Sequence, residues 1–196
     1  MLDSSVFSCF LDASKAFDRV CHKALFEKLE SRGVPRYIIR ILVYWYSNQR
    51  MCVRWGNGLS NFFTVSNGVR QGGILSPYLF NLYMDDLSVE LNKVNIGCCI
   101  GNTTVNHLMY ADDLVLIAPS AGGLNSLLKI CGVFGTINAV KFNPVKSKVM
   151  IFRSNLLSKS NLPNFCINNE IIRETNKVKY LGHFITNDRS DDEDMS

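Results

Sequence analysis

Apolar residues recur along this chain with two different periods, and the change of period marks out its elements. From His22 to Arg32, Leu25, Phe26 and Leu29 fall at helical spacing, and Gly33 ends the run. Pro35 opens a second helix that reaches about Asn48, so the two predict a helical hairpin. A third helix is predicted from about Leu75 to Asn92, with Leu79, Leu82, Tyr83 and Leu87 on one face. A fourth runs over Gly123–Asn138, with Leu124, Leu127, Leu128, Cys131 and Phe134 inward. Strand-like runs occupy Val6–Asp12, Ile96–Ile100, Val105–Tyr110, Leu114–Ala118 and Lys148–Phe152. Met51–Trp55 and Phe62–Ser66 flank Gly56-Asn57-Gly58, a hairpin signal, and Phe165–Ile167, Glu170–Ile172 and Val178–Ile185 alternate as short strands do. This order predicts an α+β layer, an antiparallel sheet with helices packed on one face and the other face free for a ligand.

Composition narrows the class. At 196 residues the chain suffices for one well-buried domain with a small appendage, and its 47% hydrophobic content is that of a globular protein. No apolar run approaches the ~20 residues that span a bilayer, and the longest, Tyr37–Tyr46, is broken by Arg40. With no signal-peptide pattern at the start, an intracellular chain with no membrane partner is expected. Seven scattered cysteines without a Cys-x-x-Cys pair argue against a disulfide framework or a zinc site and for buried reduced thiols. The net charge of +4 favours a polyanionic partner, and the acidic stretch within residues 187–196 is expected to be a solvated tail.

Two adjacent carboxylates interrupt the apolar pattern at Tyr110-Ala-Asp112-Asp113, between His107–Met109 and Leu114–Ala118. Such a pair repels itself unless a cation screens it, so it reads as half of a divalent-metal site at a hairpin tip. Asp12, at the end of the Val6–Asp12 strand, is the candidate third carboxylate, with Asp18 six residues on. Together they suit two Mg²⁺ ions about 3.5–4 Å apart, the arrangement that in-line phosphoryl transfer uses and a polymerase palm provides.

Phe10-Leu-Asp12-Ala-Ser-Lys15-Ala-Phe17-Asp18-Arg-Val20, Asn67-Gly68-Val-Arg70-Gln71-Gly72-Gly73-Ile-Leu-Ser76-Pro77, Tyr110-Ala-Asp112-Asp113 and Lys141-Phe-Asn143-Pro-Val-Lys146-Ser-Lys148 stand in the order of the palm motifs of reverse transcriptases, with Val178-Lys-Tyr180-Leu181-Gly182 as a fifth. Their wording resembles LINE-type non-LTR retrotransposons across nearly the whole chain. The resemblance implies a palm over residues 1–186, with 33–73 reaching toward the fingers and 165–186 forming a primer-grip-like hairpin. It further implies that Asp12, Asp112 and the Ala13 carbonyl ligate metal, that Asp113 is a weaker ligand, and that Mg²⁺, or Mn²⁺, is the cofactor. Phe17 stands where the family sets a bulky side chain against the sugar 2′ position, selecting deoxynucleotides and arguing against an RNA-copying-RNA polymerase. Arg70, Gln71 and Gly72 would line the nucleotide pocket. Lys146 would protonate pyrophosphate, and Tyr110, Tyr180, Leu181 and Gly182 would meet primer and template. RNA template, DNA primer and deoxynucleoside triphosphates are the implied partners, in a chain that forms part of a larger polyprotein.

Eleven residues precede Asp12, so truncated fingers and no thumb are expected, with weak, salt-sensitive binding and extension near background. The stretch Gly132–Ala139 carries no charge where a helix end is expected to carry some. The alternative to an RNA-directed DNA polymerase is a catalytically inactive palm remnant that binds RNA or protein.

Overall fold

The computed structural model describes residues 5–153 and 162–188 of the chain, so nearly all of the expected acidic tail lies outside the described residues. It divides into two compact units, Lys15–Asp85 and the remainder.

The larger unit is built on a five-stranded sheet. Its strands are β1 (Val6–Asp12), β8 (His107–Tyr110), β9 (Asp113–Ala118), β10 (Lys148–Phe152) and β13 (Arg173–Glu174), in the order β13-β10-β1-β9-β8. Every pairing is antiparallel except that of β13 with β10 at the edge. Register follows the two-residue period. Cys9 lies opposite Leu116 and Val149, and Leu11 opposite Leu114, so one face is continuously apolar.

That face is covered by α5 (Ala121–Ile137), whose Leu124, Leu127, Leu128 and Cys131 are fully buried, as the helical period predicts. Each such leucine adds about 1.5–3 kcal/mol of burial. Ser120 caps the helix by accepting a bond from the Gly123 amide at 3.1 Å. Burial pushes the Cys9 thiol well up, with Cys131 adding to the shift. All seven cysteines are free, although only Cys9 and Cys131 are fully buried.

Near the end of α5 one position is set by packing. A Cβ on Gly135 would stand 2.5 Å from the Val140 carbonyl oxygen, so glycine is what lets the chain return across the helix toward the sheet. Three short hairpins complete this unit: β6 (Cys98–Ile100) with β7 (Thr103–Val105), β11 (Cys166–Ile167) with β12 (Glu170–Ile171), and β14 (Lys177–Tyr180) with β15 (His183–Thr186). The run Val178–Ile185 is thus two strands, turned at Leu181 and Gly182, both with positive φ.

In the smaller unit a short α1 (Ala16–Arg19) is followed by α2 (His22–Ser31) and α3 (Arg36–Ser47), the expected helical hairpin, with Gly33 at φ +74 between them. The hairpin predicted around Gly56-Asn57-Gly58 is nested. The inner pair is β3 (Arg54–Trp55) with β4 (Gly58–Leu59), and the outer pair is β2 (Arg50–Met51) with β5 (Phe63–Thr64). Val53 and Ser60 bridge the break, the Val53 amide donating to Ser60 Oγ at 2.9 Å. The helix α4 (Ser76–Asn92) follows and runs on into the larger unit, burying Leu79, Phe80, Tyr83, Met84, Leu87 and Leu91. Among the described residues no helix is long and apolar enough to cross a membrane.

Candidate active site

Asp12 ends β1 and Asp113 begins β9, and the register sets the two directly opposite each other. Opposed residues of an antiparallel pair project to one face, so both carboxylates stand on the face that α5 does not cover. Tyr110 and Asp113 are also partners, which leaves Ala111 and Asp112 as a two-residue turn. Ala111 lies at φ +53, where a residue with a Cβ is disfavoured, and the surrounding ladder holds it there. The backbone therefore brings Asp12, Asp112 and Asp113 to one end of the sheet.

Their electrostatics are unbalanced. Asp113 is exposed as a residue, yet the partial burial of its carboxyl raises its pKa from the ordinary value, and the charges of Asp112 and then Asp12 raise it further. Asp12 Oδ2 is buried and has no hydrogen-bond partner among the described residues. A buried carboxylate oxygen without a donor is costly, and a cation would satisfy it and relieve the repulsion at once, so the donor set fits a hard divalent ion. As the side chains stand, no three His, Cys, Asp or Glu among the described residues form a group that could hold one.

Asp12 is held by a segment far along the chain. Its amide donates to Ser147 Oγ at 3.1 Å and its carbonyl accepts from the Asn143 amide at 2.8 Å. Ser147 is fully buried and donates on to the Asn143 carbonyl at 2.7 Å. Asn143 Oδ1 accepts from the amides of Val145 and Lys146, closing a turn that leaves Lys146 exposed. Sequence reasoning placed Lys146 in this motif and overlooked Ser147, whose only sequence signal is its place in that same motif.

Tyr180 at the end of β14 packs edge-on against Phe10 of β1, ring centroids 5.6 Å apart. Burial, and then the charge of Asp113, raise its phenol pKa. The turn Leu181-Gly182 thus hangs from the same sheet face as the carboxylates, while Tyr110 is mostly exposed.

Phe17, Arg70, Gln71 and Gly72 belong to the smaller unit and are assembled there with one another. The Val69 amide donates to the Phe17 carbonyl at 2.8 Å, and Gln71 Nε2 donates to Asp18 Oδ1 at 3.2 Å. Gly68 makes this possible. Its φ is +92, and a Cβ there would come within 2.9 Å of the Asp18 backbone. Phe17 is stacked on buried Phe80 at 4.5 Å, so one face of its ring is fixed by packing. Arg70 is exposed, and its carbonyl accepts from Ser76 Oγ at the start of α4.

The family model for "Reverse transcriptase (RNA-dependent DNA polymerase)" matches residues 2–185. The chain is 33% identical over 191 residues to the Pol polyprotein of the type-2 retrotransposable element R2DM of Drosophila melanogaster, covering 89% of this chain. It is 28% identical over 181 residues to the RNA-directed DNA polymerase from mobile element jockey of Drosophila funebris, again covering 89% of this chain. It spans only 17% and 19% of those relatives' lengths. Apo telomerase from Candida tropicalis, truncated from its C-terminal domain, superposes with a TM-score of 0.65 over 93% of this chain and 34% of its own, at 15% identity. The telomerase of that organism in complex with a telomeric RNA fragment gives 0.63 at 13% identity, covering 94% of this chain and 29% of its own. These likenesses show the fold, one consistent with a polymerase palm. The match along almost the whole chain, with relatives from the R2 and jockey elements, makes it a member of the reverse transcriptase (RNA-dependent DNA polymerase) family, of the LINE type.

Proposed function

We propose that the chain is the palm portion of an RNA-directed DNA polymerase, part of a larger polyprotein, which copies an RNA template by adding deoxynucleotides to a primer 3′ end. The observation that carries this is the buried, unpartnered Asp12 Oδ2 opposite Asp113, whose own carboxyl is pushed up by burial and by its two acidic neighbours. Asp12, Asp112 and the Ala13 carbonyl would hold two divalent ions, Mg²⁺ or Mn²⁺, with Asp113 as a weaker ligand. When bound, such ions lower the pKa of the primer hydroxyl and neutralise charge developing on the α-phosphate.

The remaining work falls to the chain's own side chains. Phe17 excludes a ribose 2′-hydroxyl by bulk, its ring backed by Phe80. Gln71 and Gly72 offer amide and bare backbone to the nucleotide, with Arg70 for its phosphates. Lys146 holds a proton at Nζ for the departing pyrophosphate. Tyr110, Tyr180, Leu181 and Gly182 place the primer end through geometry. Residues 33–73 reach toward the fingers, and 165–186 supply the primer-grip-like hairpin.

The test is single-nucleotide addition to a DNA primer on an RNA template with enzyme in excess. Addition that depends on Mg²⁺ and vanishes on Asp112→Asn supports the reading. Addition that survives Asp112→Asn refutes it.

A further inference from the structure

The β3–β4 hairpin carries a feature that the carboxylate chemistry does not use. Trp55, beside its tip, is 88% exposed, and Leu59 and Phe62 nearby are 62% and 71% exposed. An indole is among the side chains that gain most from being covered, so a ring left this bare on an ordered strand calls for a reason. The register supplies one. The cross-strand partner of Trp55 is Gly58, which has no side chain to lie over the ring, so the hairpin itself leaves the ring uncovered.

Charge around it is one-sided. Between Glu30 and Asp85 the chain has six arginines, no lysine and no acid. Arg32 pairs with Asp85 and Arg36 with Glu30. Arg40, Arg50, Arg54 and Arg70 are exposed, and among the described residues none of them forms an ion pair. Arg54 adjoins Trp55 on β3, and Arg50 lies one short strand earlier on β2. Consecutive strand residues project to opposite faces, so the hairpin carries the bare ring on one face and the exposed Arg54 on the other. A strand of unpaired bases laid across so thin a hairpin finds a face to stack on and a cation for the linkages on either side.

We infer that the β3–β4 hairpin is a stacking platform for single-stranded nucleic acid, with Trp55 receiving a base and Arg50 and Arg54 the flanking phosphates. It takes nucleic acid as partner from the function proposed above, but it involves none of the residues placed in that chemistry. It reads no sequence, because a ring face and a guanidinium discriminate poorly among bases.

The test uses the chain with Trp45→Phe, which leaves Trp55 as the sole tryptophan. Short oligo(rU) and oligo(dT) are titrated in EDTA without nucleoside triphosphates, so that the carboxylate chemistry is silent. The platform predicts saturable quenching of Trp55 emission, with affinity falling steeply as salt rises. Tighter binding of oligo(rU) assigns the site to RNA, and tighter binding of oligo(dT) to single-stranded DNA. In the full chain, followed by anisotropy of a labelled oligonucleotide, Trp55→Ala should weaken binding about five- to a hundred-fold, while Trp55→Phe keeps most of it. Replacing Arg50 and Arg54 with alanine should flatten the log–log salt slope by about 1.4. Unaltered affinity on Trp55→Ala, or quenching by an apolar peptide and not by oligonucleotides, overturns the inference. Quenching that persists where addition survives Asp112→Asn leaves the platform standing and sinks the proposed function, and unaltered affinity on Trp55→Ala beside addition that needs Asp112 separates them the other way.

Discussion

Two glycines in one helix should respond to the same substitution with opposite signs. Gly122 and Gly135 both lie in α5, and alanine is favoured over glycine inside a helix by about 0.8–1 kcal/mol. At Gly122 an added Cβ meets nothing within 4 Å, so Gly122→Ala should stabilise by up to about 1 kcal/mol. At Gly135 the added Cβ would stand 2.5 Å from the Val140 carbonyl oxygen and 3.5 Å from two atoms of the Phe142 ring. The carbonyl is backbone and cannot swing aside. Restoring ordinary contact at about 3.4 Å requires it to retreat by roughly 0.9 Å, and overpacking of this kind costs about 1–3 kcal/mol. Set against the helical gain of about 0.8–1 kcal/mol, the clash leaves Gly135→Ala destabilising by up to about 2 kcal/mol. The displacement would also propagate. Val140 leads into Lys141 and Asn143, whose backbone bonds hold Ser14 and Asp12, so cation binding should weaken as well. Urea unfolding of the two variants beside the parent checks the energies. If Gly135→Ala is as stable as Gly122→Ala, the packing account of the α5 end is wrong.

Other substitutions probe separate links. Ser147→Ala removes the acceptor for the Asp12 amide in a fully buried position, which should cost about 1–3 kcal/mol in unfolding experiments and loosen cation binding without altering any proposed ligand. Burial lowers the pKa of His107, whose Nε2 meets Ser88 Oγ at 2.8 Å and Nδ1 meets Asn106 Oδ1 at 2.6 Å. Since the unfolded chain then binds the extra proton first, stability should fall as pH drops below about 6.5, with a slope of at most ~1.4 kcal/mol per pH unit. His107→Gln should flatten that part of the profile, and an unchanged profile would remove His107 as its cause. Phe17→Ala should raise incorporation of ribonucleotides relative to deoxynucleotides in single-nucleotide addition, and unchanged selectivity would reduce Phe17 to packing on Phe80.

What could be read in the chain was whatever repeats locally. The two-residue period of β1 and β9 anticipates the buried face, and the helical period anticipates every buried leucine of α5. The same alternation makes Asp12 a strand-end acid. Contacts between residues close in space but not in period were not legible. Ser147 reaches Asp12 across 135 positions, and nothing in its neighbours marks it as buried. Gly135 looks like a weak spot in a helix until Val140 is seen against it. The nesting of the hairpin was not legible: the Ser60 amide donates to the Val53 carbonyl at 2.9 Å, but the Val53 amide turns to Ser60 Oγ, also at 2.9 Å, where the pattern suggested continuous strands. Phe17 was read for selectivity, and its stacking on Phe80 emerges only from the fold.

Asp12, Asp112 and Asp113 should act together in holding divalent cations. Uptake of Mn²⁺ by the purified chain, followed through loss of the free-ion paramagnetic resonance signal, addresses it without requiring turnover. Uptake should saturate, be displaced by Mg²⁺, and be lost in both Asp12→Asn and Asp112→Asn. Uptake that persists undiminished in either variant, or none that saturates in the parent chain, would contradict it.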